Sequence, residues 1–148
     1  MWMKMALLPV FSDMEYVSHS IEDTNKFAES IAKTLKGNEV IALFGDLGAG
    51  KTTFTRGLCA SLGIMSGVHS PTFAIVNEYH GKFPVYHFDM YRITDEDDLY
   101  STGYFDYLGK GIILIEWSEN IVDSIPSDAI RIELRYGEDE NTRVFKRM

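Results

Sequence analysis

Cysteine occurs once in the 148 residues, so no disulfide can form within the chain. That single residue, Cys59, falls in a helix-compatible stretch, where a packed, neutral thiol is expected. No apolar run approaches the ~18 residues that a membrane-spanning helix needs. The start, Met1 to Phe11, is apolar, but Pro9 interrupts it and no small-residue cleavage site follows. An irregular or strand-like N-terminus of a cytoplasmic protein is the expectation. Basic residues are scarce too: 14 Lys and Arg stand against 22 Asp and Glu, a net charge of −8. The summed field should repel a phosphate backbone, so any nucleic-acid role is expected to run through a partner. Soft metal ligands are also missing at useful spacing. His69 and His87 are isolated and there is no H-x-x-x-H, which argues against zinc. No repeat, low-complexity tract or linker divides the chain, and one domain spanning residues 1–148 is expected.

What the chain does have is a complete G-x-x-x-x-G-K-[ST] phosphate-binding loop, Gly45-Asp46-Leu47-Gly48-Ala49-Gly50-Lys51-Thr52. A β-rich run, Val40 to Phe44, enters it and a helix-compatible stretch, Thr52 to Leu62, leaves it. The glycines let successive N–H groups turn inward on phosphate oxygens, and the helix N-terminus adds its partial positive charge. Lys51 is expected to bridge the β- and γ-phosphates, and the Thr52 hydroxyl to ligate Mg²⁺.

The rest of the chain alternates strand and helix signals. Ser20 to Asp23 reads as a helix start, with Phe27, Ala28, Ile31, Ala32 and Leu35 at helical spacing and Gly37 as the stop. Thr72–Tyr79 and Phe83–Asp89 are separated by only three residues, too few for a parallel crossover, so an antiparallel hairpin follows. Thr94 to Asp97 resembles a second helix cap, opening a short helix through Tyr100. Ile112 to Ile115 is apolar throughout, as a strand covered on both faces must be. Ala129–Tyr136 and Thr142–Lys146 are expected as closing strands around a Gly137–Asn141 turn.

A phosphate loop needs a carboxylate at the end of a buried strand to serve its metal or water. Two positions qualify: Glu116 after Ile112–Ile115, and Asp89 after Val85–Phe88. Glu116 follows the more apolar run and is the better metal candidate; Asp89 is expected to serve the metal through water or to position the attacking water. Either acid could instead cap a neighbouring loop. Ser70-Pro71-Thr72 could order when ATP binds. Trp117 is expected in the core or on a partner surface.

The phosphate loop continued by Thr53, then Ser70-Pro71-Thr72-Phe73, His87-Phe88-Asp89-Met90-Tyr91-Arg92 and Ile115-Glu116-Trp117, occurs in an order that closely resembles the TsaE family, formerly YjeE. The resemblance runs from about Ser20 to Arg143. It implies a P-loop NTPase-like three-layer α/β sandwich with a mixed parallel/antiparallel sheet. It implies a weak Mg²⁺-dependent ATPase, fully active only in complex, that binds a TsaB–TsaD heterodimer. There TsaD transfers a threonylcarbamoyl group to the adenosine beside the anticodon of ANN-decoding tRNAs, and ATP hydrolysis by the TsaE-like subunit resets the complex. By the same resemblance Leu47, Gly48, Ala49, Gly50, Lys51 and Thr52 contact the phosphates, and Thr52 with Glu116 holds Mg²⁺. Thr53, Asp89 and Trp117 match positions used in hydrolysis or complex function, and Thr24 matches a region near the adenine. The departures are Met90, where Leu is common, and Phe73, where Tyr is common. The C-terminal strands match loosely, so no nucleotide contact carries over to Arg131 or Arg135. Alternatives to be weighed are a small-molecule P-loop kinase, a GTPase-like switch and a module in which ATP is only structural. The first lacks an Arg-bearing lid here; the second lacks a late N-K-x-D, since Asn25-Lys26 precedes the loop.

Overall fold

Continuous apolar runs bounded by polar turns build the centre of the molecule, and short amphipathic segments build its rim. The computed structural model describes residues 15–45, 50–68, 71 and 75–148. Seven strands form one sheet in the order β1-β7-β6-β2-β5-β4-β3. They are β1 (Glu15–Ser18), β2 (Val40–Gly45), β3 (Val76–His80), β4 (Pro84–Asp89), β5 (Ile112–Glu116), β6 (Ile130–Tyr136) and β7 (Arg143–Arg147). The four central strands, β6, β2, β5 and β4, run parallel. Their connections therefore cross over a face of the sheet, and both faces must be covered. β5, with all five residues buried, is the clearest result of that demand. The edges are antiparallel: β3 on β4 at one side, β7 on β6 and β1 on β7 at the other. The expected hairpin and closing strands are thus present, with β3 beginning at Val76 and positions 72–74 outside the described residues.

One face carries α1 (Ile21–Ala32) and α2 (Lys51–Ser61). Phe27, Phe54 and Phe145 pack there as tilted rings with centroids 5.0 to 5.8 Å apart. Fully burying each such ring contributes roughly 1.5–3 kcal/mol. The two helices cross closely at Gly57, where a Cβ would stand 2.7 Å from Asn25 Oδ1. The other face carries α3 (Glu96–Ser101), α4 (Tyr104–Tyr107) and a kinked 3₁₀ segment, Ser118–Ser124. Leu99, Tyr104 and Ile121 pack from these onto Phe88, Ile113 and Ile115. The result is a three-layer α/β sandwich with a mixed sheet. No helix among the described residues is long and apolar enough to cross a membrane.

Ser20 caps α1 as expected, its side chain accepting the Asp23 N–H. That helix ends earlier than the stripe suggested: after Ala32 the bonds from Thr34 and Leu35 reach back only three residues, tightening the turn before Gly37. The cap of α3 is Asp95 rather than Thr94. Asp95 accepts the Asp98 N–H, while Asp98 in turn accepts the Thr94 N–H and O–H. Both residues can cap, and this reciprocal pairing selects the second.

Candidate functional site

Parallel strands deliver their C-terminal ends to one edge of the sheet, and that edge is where α/β proteins place their ligands. Here β2 ends at Gly45, β4 at Asp89 and β5 at Glu116, while α2 begins at Lys51 directly above them. The register sets Asp89 beside Glu116. Gly45 has φ +112° and its N–H donates to Glu119 Oε2 at 2.7 Å, so the 3₁₀ segment clasps the strand where the phosphate loop begins.

Lys51 is the most informative side chain. It is 4% exposed, and its Nζ has no hydrogen-bond partner among the described residues. Burying an ammonium with nothing to bond is costly. The Trp117 ring centroid lies 5.0 Å away, a favourable seat for a cation. A buried, unpaired cation at the N-terminus of a helix is built to receive an oxyanion. Thr52 and Thr53 follow it in α2, both half-buried.

Glu116 is buried and lies 2.5 Å from His87 Nε2, while His87 Nδ1 lies 3.2 Å from Tyr79 Oη. Asp89 Oδ1 accepts the Tyr91 N–H at 2.9 Å. The loop-capping alternative is therefore part of what Asp89 does. Burial pushes its carboxyl above the usual range and the Glu116 charge adds to this, against the lowering effects of the Tyr91 N–H, His87 and Lys51. Two carboxylates and two potential cations thus share one field. Among the described residues no group of three or more His, Cys, Asp or Glu could hold a metal ion. A divalent cation at Glu116 would depend on a hydroxyl and on ligand oxygens for the rest of its shell, the pattern that suits Mg²⁺ on a nucleotide.

Trp117 adopts φ 60°, ψ 43°, the only positive φ outside glycine among the described residues. Such strain persists only where the surroundings hold it. The ring is half-buried, between Lys51 and the exposed Tyr91, whose centroid is 4.9 Å away. Neither core nor surface alone describes it.

Thr24 is buried and its Oγ1 lies 2.7 Å from Ser18 Oγ. It lines a cleft of about 230 Å³ together with Gly50, Thr53, Asn141 and Arg143. A larger groove of about 740 Å³ lies between α1 and α2, and Thr53 is the lining residue nearest the loop among the described residues. Arg143 comes from β7, and its guanidinium stacks 4.5 Å from the Tyr136 ring. Arg131 instead bonds the carbonyls of residues 125–127, and Arg135 pairs with Glu15 and Glu133.

The structure therefore brings together Lys51, Asp89, Glu116 and Trp117 in one cluster, with Thr52 and Thr53 following Lys51 in α2. Gly50 and Thr24 border the adjoining cleft. Leu47, Gly48, Ala49, Ser70 and Thr72 lie outside the described residues. The Glu119–Gly45 contact, Arg143 at the cleft and the His87–Glu116 contact were not expected from the sequence. For His87 a signal existed, since it shares strand parity with Asp89. Cys59 is buried, and burial pushes its thiol up to about 12. An inert thiol results.

The family model described as "Threonylcarbamoyl adenosine biosynthesis protein TsaE" matches residues 18–145. A Bacillus subtilis protein named tRNA threonylcarbamoyladenosine biosynthesis protein TsaE is 44% identical over 127 residues, covering 84% of this chain and 79% of that protein. One of the same name from Aquifex aeolicus is 42% identical over 137 residues, covering 90% and 96%. The crystal structure of YdiB from Bacillus subtilis superposes with a TM-score of 0.72 at 35% identity, covering 89% of this chain and 82% of that one.

Proposed function

The chain belongs to the TsaE family, and from that premise we propose that it is the Mg²⁺-dependent ATPase subunit of the machinery that makes threonylcarbamoyladenosine in tRNA, working on a TsaB–TsaD heterodimer. The observation that carries the reading is the buried Lys51 ammonium at the start of α2, with no hydrogen-bond partner among the described residues, beside the carboxylates of Asp89 and Glu116.

Each residue has a part in this reading. Lys51 and the amides of the phosphate loop, Leu47 to Thr52, bind the β- and γ-phosphates and oppose the charge on the transferring group. The Thr52 hydroxyl and the Glu116 carboxylate hold Mg²⁺, which when bound neutralises charge on the phosphate oxygens. Asp89, held in one orientation by the Tyr91 N–H, positions the attacking water. Thr53 supports hydrolysis from the next position in α2. The base occupies the cleft beside Thr24, with Arg143 at its other wall. Trp117 and the exposed Tyr91 form an aromatic surface next to the reacting end, where the heterodimer docks. The net charge of −8 supports a subunit that reaches tRNA only through its partner. The setting is cytoplasmic, and the 148 residues act as one ATPase domain.

Equilibrium binding tests the carrying observation. Lys51→Ala should weaken ATP binding by about 100-fold, since it removes a charge-assisted contact and leaves the anion facing an apolar gap. Sedimentation with TsaB–TsaD should show association that depends on ATP. Affinity for ATP within about threefold of the original in Lys51→Ala would sink the site assignment; association indifferent to nucleotide would sink the proposed cycle.

A further inference from the structure

Glu116 is not presented by β5 alone. The sheet alternates its side chains, and Ile112 and Leu114 pack on the α1/α2 face, so Glu116 points to that face as well. On β4 the same face receives Val85, then His87, then Asp89; on β3 it receives Tyr79 and Asn77. The β4–β5 register pairs His87 with Leu114 and Asp89 with Glu116. His87 is therefore the diagonal neighbour of Glu116, within side-chain reach.

The contacts run in one line across three strands. Asn77 Nδ2 donates to Tyr79 Oη at 3.4 Å. Tyr79 Oη lies 3.2 Å from His87 Nδ1, and His87 Nε2 lies 2.5 Å from Glu116 Oε2. A direction follows from the last member. An ionised carboxylate can only accept, so the Glu116 contact places a proton on Nε2. With Nε2–H donating there, the Nδ1 of a neutral ring accepts from the Tyr79 O–H. His87 is 1% exposed, which shields this geometry from bulk solvent.

We propose that His87, fixed in its Nε2–H form by Tyr79, is a positioning residue that aims the Glu116 carboxylate at the divalent cation. The inference rests on the metal role of Glu116 in the reading above. It assigns His87 no contact with nucleotide or metal. One oxygen of Glu116 is anchored by the imidazole, which fixes the rotamer and the orientation of the carboxylate plane. Ligating carboxylates are commonly oriented in this way, and losing the outer partner typically costs about 10–100-fold in metal affinity.

Two measurements on the full chain test this. The first is ¹⁵N–¹H NMR of the imidazole, with neither nucleotide nor metal present. The wild type should show the Nε2–H tautomer, and Tyr79→Phe should give a mixture of tautomers. An Nδ1–H ring in the wild type, or a pattern unmoved by Tyr79→Phe, would overturn the proposal. The second is Mn²⁺ affinity in the presence of ADP, read by electron paramagnetic resonance. His87→Phe should weaken Mn²⁺ by about 10–100-fold while ADP affinity without metal stays within about threefold. His87→Gln, whose amide N–H reaches the same place, should recover most of the loss. Mn²⁺ affinity unchanged in His87→Phe, or equal losses in the Gln and Phe variants, would contradict a positioning role. Glu116→Gln is the control: if it leaves Mn²⁺ affinity unchanged, the metal assignment itself fails, and that failure is distinguishable from failure of the His87 inference. Should His87→Phe not fold, the tautomer measurement and His87→Gln still decide.

Discussion

Replacing Gly45 and Gly50 by alanine, one at a time, separates two costs that phosphate loops usually combine. Both glycines have positive φ, +112° and +105°. A side chain at such an angle costs about 1–2 kcal/mol at either site. Their surroundings differ. At Gly45 a Cβ would stand 1.9 Å from the Leu134 carbonyl oxygen, well inside the 3.0 Å that real Cβ atoms respect. Leu134 is the β6 residue paired with Gly45, so the obstacle is backbone in a central parallel pair and cannot rotate away. Forcing the strands apart should add about 1–3 kcal/mol. At Gly50 the nearest atom is Arg143 Cγ at 3.7 Å, an ordinary contact on a flexible side chain. Gly45→Ala should therefore lose about 2–5 kcal/mol, and Gly50→Ala only about 1–2 kcal/mol. At about 2–4 °C per kcal/mol for a domain of this size, Gly45→Ala should melt roughly 10 °C low. Urea unfolding followed by circular dichroism measures the difference. Equal losses in the two variants, within about 0.5 kcal/mol, would refute the steric argument.

Three other outcomes follow from the same structure. Glu116→Ala should lower Mg²⁺-dependent turnover by about 100-fold and Asp89→Ala by less, about 10-fold; steady-state kinetics over a Mg²⁺ series checks the order, and the reverse order would exchange their roles. Glu39 is raised by burial but lowered more by the N–H groups of Lys36, Gly37 and Asn38, so its carboxyl sits below its usual 4.5. A depressed carboxylate contributes stability above the unfolded value and loses it as pH falls through the folded one; Glu39→Gln should cost about 1 kcal/mol at pH 7 after solvent screening. Thermal melts across pH should show that gap closing below about 4.5, and a gap constant with pH would contradict the hydrogen-bond account.

The layers were legible because burial writes itself into composition. Ile112–Ile115 is apolar at every position since β5 is covered on both faces, and the three residues between β3 and β4 leave room only for a hairpin. The Ser20 cap was legible because it is local. What stayed hidden is non-local or short. β1 has two exposed residues among four and is defined by β7, at the far end of the chain. The four residues of α4 and the 3₁₀ segment are too short for periodicity to speak. In the site, Lys51, Asp89 and Glu116 could be named from motif and strand-end position. That Lys51 has the Trp117 ring below it, that Glu119 holds Gly45, and that Arg143 walls the cleft beside Thr24 depend on approach between distant segments. No pattern within one segment encodes those.

In the proposed function, the Lys51 ammonium is the phosphate seat of an ATPase whose work is done on a partner. Turnover of ATP by the chain alone and with a TsaB–TsaD heterodimer, each with Lys51→Ala alongside, tests it most directly. The expected result is slow turnover alone, a clear change on adding the heterodimer, and loss of both in Lys51→Ala. Turnover that survives Lys51→Ala, or that is the same with and without the heterodimer, would contradict it.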